Sequence, residues 1–346
     1  MILPFTQRPM IQAYLHHAYT TGIMEAAGYR WALANEYLQL EVRLNDKYSG
    51  VSLFMDISPW TDLDAFARDG LCKMTLHSAD SISNCSTVEL AKRIQLKLDS
   101  GNYVEAYVDE YYIPETASFN CRHHNHALLI LGHDLDVNVF TAIIYKKEGR
   151  FGFVRVPANM LCQAVSMQPR LNAPYTADKA MREIAVSRGC QKALKIEKIK
   201  IGLAEFLKPD KGGQFDESIL DENRNAKTGF VYGQHCYDYI ETHIRRSCER
   251  LMPIDLRVTR LIWERAKVGG ERLVLLSELF DVPRTLTQRW YVLIQGFLRV
   301  HLIAFQHNLD LKKKRLGRQS DALFVLSDVV REELELTEQL MSIIDK

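Results

Sequence analysis

Apolar residues recur at two different periods along this 346-residue chain. Before residue 167, short alternating or continuous apolar runs with the spacing of strands are broken by amphipathic stretches with the spacing of helices. Ile11–Gly28, rich in Ala, His and Tyr, predicts a helix closed by Gly28. "RWALANEYLQLEV" predicts a passage from helix into strand, and "GVSLFMDISPW" (50–60) a strand stopped by Pro59. "CSTVELAKRIQLKLDSG" carries the best-signed helix. Ser86 and Glu89 form a capping box, and Gly101 stands where a glycine closes a helix. "YVEAYVDEYYI" alternates as a strand and His126–Leu131 supplies another. "GHDLDVN" breaks the run; "VFTAIIY" and "FGFVRV" then flank "KKEGR" as a hairpin with Gly149 in its turn. A helix followed by several antiparallel strands predicts an α+β half.

The second half reads differently. "MQPRLNAPYTADKA" (167–180) is a linker by composition, and 208–229 is a long polar loop, either a lid or a disordered stretch. Beyond it apolar residues fall at steps of three and four. Tyr237, Ile240, Ile244, Cys248 and Leu251 form one series, and Leu256, Leu261, Val268, Leu273 and Leu276 another, with a kink expected at Gly269–Gly270. Two longer amphipathic stretches follow, joined by "KKKRLGR" (312–318), which reads as a solvated connection. The expected division is an N-terminal α+β domain at 1–170 and an all-α helical domain at 175–346. Helices this long suit an intramolecular bundle or pairing with a second copy, so a homodimer stays open.

Composition narrows the function. Hydrophobic residues are 47% and charged residues 25%, with a formal net charge of +1. So weak a field gives no electrostatic case for nucleic acid or an anionic membrane. Seven cysteines without a CxxC suggest reduced thiols and a cytoplasmic setting. No apolar run has the length of a membrane span, and "MILPFTQRPM" lacks a signal-peptide pattern. No motif calls for a cofactor.

The candidate chemistry lies in "YVDEYYIPETASFNCRHHNHALLILGHD" (107–134), where His123, His124 and His126 precede a buried apolar run. Three readings are open. His126 opens the strand, where an imidazole can reach a cleft while packing locks the backbone behind it, as a catalytic base requires. Cys121, His123, His124 and His126 are acceptable zinc ligands, and His124 and His126 share a strand face. Four ligands within six residues rarely converge on one ion, so no metal is expected. Or the histidines simply cap a strand at a rim.

"GNYVEAYVDEYYIP", "HHNHALLILGHD" and "VFTAIIY", in that order, resemble the N-terminal domain of the butirosin biosynthesis protein H family across roughly residues 85–165. "HHAYTTGIMEAAGYRWALANEYLQL" resembles the opening segment of a variant group that accompanies nonribosomal peptide and polyketide gene clusters. The resemblance implies a papain-like fold, similar to double-glycine cysteine peptidases turned to acyl transfer. A carrier-protein thioester would donate an acyl group to a cysteine and then to an amine, with a histidine as base. His126 matches that histidine; Asp109 matches the aspartate of "VDxYYxP", expected to be structural, and Asp134 the "GxD" turn.

The nucleophile does not carry over. The place just after the histidine in the first helix reads His16-His17-Ala18, and the first cysteine is Cys72. Without a thiol, covalent catalysis is lost. Thr20 and Thr21, within a turn of that gap, are the hydroxyl substitutes, and Tyr145 on the strand after the turn is the group to hydrogen-bond His126. The expected catalytic set is therefore His126, Thr20 and Tyr145, and the expected substrate contacts are His17, Tyr111, His124 and Asp134. The expected function is an accessory role in peptide or polyketide biosynthesis. The partner would be an acyl or peptidyl carrier protein or a synthetase, and His126 would assist acyl transfer or hydrolysis directly on the thioester. The alternative is a catalytically empty module that binds such a partner.

Overall fold

The computed structural model describes residues 1–44, 54–57, 62–147, 149–167, 180–209, 229–313 and 321–346. The expected linker (167–180), polar loop (208–229), strand 50–60 and connection 312–318 lie mostly outside these residues. In chain order the elements begin with α1 (Leu15–Ala26), α2 (Arg30–Leu33), β1 (Leu40–Leu44), β2 (Phe54–Ile57), α3 (Asp62–Arg68), β3 (Cys72–His77) and α4 (Ala79–Ser83). They continue with α5 (Thr87–Asp99), β4 (Tyr103–Asp109), β5 (Asn125–Asp134), β6 (Val139–Tyr145), β7 (Phe151–Pro157), α6 (Ala158–Met167) and β8 (Met181–Val186). The remainder are α7 (Ile196–Leu207), β9 (Gly229–Tyr232), α8 (Cys236–Glu249), α9 (Leu256–Leu276), α10 (Arg284–Lys312) and α11 (Asp321–Ile344).

Two compact units result, and both are discontinuous. One comprises Met1–Tyr29 and Thr61–Gln191, the other Arg30–Trp60 and Lys192–Lys346. The expected division ran instead at 170–175.

The first unit is built on a six-stranded antiparallel sheet, in the order β3-β8-β4-β5-β6-β7. Ser86 and Glu89 form the capping box of α5, and Gly101 follows its end at φ +83°. Leu90, Ile94 and Leu98, at steps of four, are its fully buried face. That helix packs with α6 and against β4 and β5. Leu128 to Leu131 on β5 are all fully buried, so both faces of that strand are covered. The α1 helix lies beside the start of β5. Its Tyr19 hydroxyl is 2.8 Å from Ile143 O and 3.0 Å from Ala127 O. Glycine is required at Gly132, where a Cβ would sit 2.6 Å from the Met1 carbonyl. There the chain's first residues pair with β5 beside a bulge.

The second unit is mostly helical but not all-α. It holds a three-stranded antiparallel sheet, β2-β1-β9, because the 30–60 segment joins it. Two buried arginines of α9 explain that capture. The Arg272 guanidinium donates to the carbonyls of Ala34 (2.7 Å) and Glu36 (2.8 Å). Arg265 donates to the Leu38 carbonyl (2.8 Å) and pairs with Glu333 of α11 at 2.5 Å. Helix α9 runs unbroken through Gly269–Gly270. Instead of kinking it, Gly269 admits Trp290 of α10: a Cβ there would lie 2.4 Å from the indole, whose Nε1 donates to Ala266 O at 2.9 Å.

Candidate functional site

The ladder between β4 and β5 pairs Val108 with His126 and Asp109 with Asn125. Alternation then puts His124 and His126 on one face of β5, with Glu110 just beyond β4 on the same side. A 3₁₀ turn, Glu110–Tyr112, ends β4. It is fastened twice to the histidine segment. The Glu110 N–H donates to His124 O at 2.8 Å, and the fully buried Asp109 takes the Tyr111 and His124 N–H groups on Oδ1, both at 3.1 Å. Asp109 Oδ2 also holds His123 Nδ1 at 2.5 Å, and the His123 ring stacks on Tyr111 with centroids 4.6 Å apart. Asp109 thus fixes the turn, the structural role expected of it.

Glu110 is the residue that sequence reasoning passed over. Its carboxylate is only 7% exposed, and Oε1 lies 2.7 Å from His126 Nδ1. A carboxylate has only acceptors to offer, so the shared proton belongs on Nδ1, and in the neutral ring the lone pair is on Nε2. The His126 side chain is 36% exposed, so it reaches solvent while its back is held. A partly exposed imidazole held from behind by a buried carboxylate is an arrangement of the kind that general-base catalysis uses. Glu110, His124 and His126 also bring one potential ligand atom each to within 4.8 Å of one another.

No family model and no curated protein matches the chain. The reading of the site therefore rests on its own geometry.

The other expected residues have other partners. The orienting role expected of Tyr145 belongs to Glu110: the Tyr145 hydroxyl donates to the Gln12 carbonyl. Thr20 is buried and its hydroxyl donates to His16 O (2.9 Å) within α1, the usual helix-interior bond of a threonine. Its hydroxyl is therefore turned into its own helix and away from the role of a displayed nucleophile. Thr21 behaves likewise, donating to His17 O at 2.8 Å. His17 is fully buried, its ring 4.1 Å from that of His16, and so has no surface with which to meet a substrate. Asp134 ends β5 eight residues beyond His126, about 26 Å away at the usual strand rise, and pairs with Arg155 at 3.3 Å. It belongs to the opposite end of the strand. Ala18, at the place of the expected nucleophile, is fully buried. Burial pushes the Cys72 and Cys162 thiols up to about 12 and raises Cys236 and Cys248 as well, so none of these four is a thiolate nucleophile near neutrality. The Cys85 thiol donates to Ser81 O at 3.3 Å. His126, Glu110, His124 and the Tyr111–His123 stack are thus together, whereas the hydroxyls of Thr20 and Tyr145 are engaged with backbone carbonyls, His17 is buried and Asp134 lies at the other end of β5.

Among the described residues no helix is long and apolar enough to cross a membrane.

Proposed function

We propose that this chain acts on an acyl or peptidyl group held as a thioester on a carrier protein, in the cytoplasmic biosynthesis of peptide or polyketide natural products. His126 serves as general base for direct transfer of that group. The observation that carries this reading is the 2.7 Å contact between buried Glu110 and partly exposed His126, which in the neutral ring leaves Nε2 as the proton acceptor. An incoming amine or water attacks the thioester carbonyl while Nε2 takes its proton. The C–S bond then breaks, and the departing carrier thiolate takes that proton back from the imidazolium. The new amide or acid and a free carrier thiol are the products, and no enzyme nucleophile is needed. A papain-like identity for the sheet unit fits this scheme. It is supported by the passage of α1 beside the start of β5 and by the base at that strand's mouth. A positioned base contributes typically 10²–10⁴-fold.

The test is incubation with an acylated carrier protein, followed by mass spectrometry of both partners. Deacylation should occur with the wild-type chain and fall at least 100-fold in His126→Ala. A rate that stays the same in that variant removes His126 from the mechanism.

The buried Ala18 favours a second reading, a module that binds the carrier without transforming its cargo. A stable complex with the acylated carrier and no deacylation would select it.

A further inference from the structure

The geometry points to a site for one zinc-class divalent cation, formed by Glu110, His124 and His126. Two imidazoles and one carboxylate are an open three-ligand set of the kind that leaves a fourth position for water or substrate. Their ligand atoms already lie within 4.8 Å of one another. Donors on one tetrahedral ion at ~2.0–2.1 Å stand roughly 3.4 Å apart, between the 2.7 Å of the His126–Glu110 contact and the 4.8 Å that bounds the set, so side-chain rotation alone has to bring them to that spacing. The two rings are tilted at 56° with centroids 5.5 Å apart, so they are not stacked face to face. With the ion about 3.2 Å from each ring centre, that separation corresponds to an angle of about 118° at the metal, near tetrahedral.

The backbone beneath the three ligands is already fixed. His126 is locked in the ladder opposite Val108, Glu110 is bonded to the His124 carbonyl, and Asp109 holds the His124 N–H. A site whose outer shell is built before the ion arrives loses little freedom on binding. A cation bound between His126 Nδ1 and Glu110 Oε1 takes the place of the hydrogen bond there, and the ring's single N–H then sits on Nε2, so the neutral imidazole changes tautomer without losing a proton. His123 stays outside the set because Asp109 holds its Nδ1. The nitrogen-rich donors select zinc and its first-row neighbours over magnesium and calcium, which prefer oxygen. Of the four ligands that the sequence suggests, only His124 and His126 take part, and the third comes from a residue fourteen positions upstream of His124.

This site does not require the acyl-transfer reading. It shares His126 with it, so an ion and a free imidazole base are alternatives at the same place. The test uses the full chain stripped with a chelator and titrated with zinc by calorimetry, or with cobalt(II) while its visible absorption is followed. The expected result is one ion per chain with micromolar or tighter affinity and a cobalt spectrum of low coordination number. His124→Ala removes an exposed side chain and leaves the fold unchanged by circular dichroism; His126→Ala and Glu110→Gln complete the set. Each should weaken binding at least 10-fold, and His123→Ala should not. Absence of 1:1 binding, binding unchanged in His124→Ala and His126→Ala, or loss in His123→Ala equal to that in His126→Ala would overturn the proposal. Ion binding without carrier deacylation leaves this site standing and removes the acyl-transfer function. Deacylation by stripped protein that binds no ion does the reverse.

Discussion

Replacing Glu110 by glutamine keeps the shape of the turn and removes one charge from behind His126. During transfer the ring becomes an imidazolium, and the carboxylate 2.7 Å from Nδ1 is then its counter-ion. With charge centres about 4 Å apart and an effective dielectric near 20, the attraction is about 4 kcal/mol. The ring is 36% exposed, so solvent screens part of this, and half, about 2 kcal/mol, is a fair share. That corresponds to about a 30-fold fall in the transfer rate. The assay is the time course of carrier deacylation for wild type, Glu110→Gln and His126→Ala, with thermal melts of all three. The glutamine variant still accepts the Nδ1–H bond, so its melt should move by no more than the ~1–2 kcal/mol that separates a charge-assisted bond from a neutral one. A Glu110→Gln variant that folds and transfers as fast as wild type would refute the orienting role.

Other consequences test the fold. Gly269→Ala should lower the melting temperature, since overpacking against Trp290 at ~1–3 kcal/mol exceeds the ~1 kcal/mol gain in helix propensity. In a Trp290→Ala background the same change should become stabilising, which a double-mutant cycle measures. Glu333→Leu strands the buried Arg265 charge and should cost ~3–5 kcal/mol in denaturant unfolding; Arg265→Met with Glu333→Leu should cost much less. His301 is pushed down to about 4 by burial, with Arg260 adding to the effect. Because the folded value lies below the unfolded one, its contribution is complete above pH 6.5 and is lost as pH falls toward 4. The loss, at most ~2–3 kcal/mol, should be absent in His301→Asn when stability is followed against pH.

Local signals in the sequence proved readable, and non-local ones did not. The capping box of Ser86 and Glu89, Gly101 after the helix, and the β6–β7 hairpin are all written within a few residues of where they act. His126 could be picked out because its position depends only on where β5 begins. Its partner could not. Glu110 meets His126 only through the β4–β5 register and the 3₁₀ turn that ends β4, and no spacing rule links the two. The search for an orienting group looked instead along the following strand, and so stopped at Tyr145. The same limit hid the insertion of β8 between β3 and β4. It also hid the hold of Arg265 and Arg272 on the 34–38 backbone, where the contacting residues are more than 200 positions apart. The glycine pair in α9 was legible as a feature but not as to cause, because its cause is an indole on another helix.

The place of β1 in the second unit sets a problem for the chain as it is made. Leu40 and Val42 are wholly buried there, yet the pairing strand β9 is translated roughly 185 residues later, some 10–40 s at ordinary ribosomal rates. The buried Glu333 that completes the Arg265 network comes later still, midway along the last helix. Through that interval a nascent chain displays an apolar strand with nothing to cover it. A fragment ending near residue 170 would display it permanently, so truncation there should give aggregated material, whereas grafting 30–60 onto the later sequence is the rational way to divide the protein.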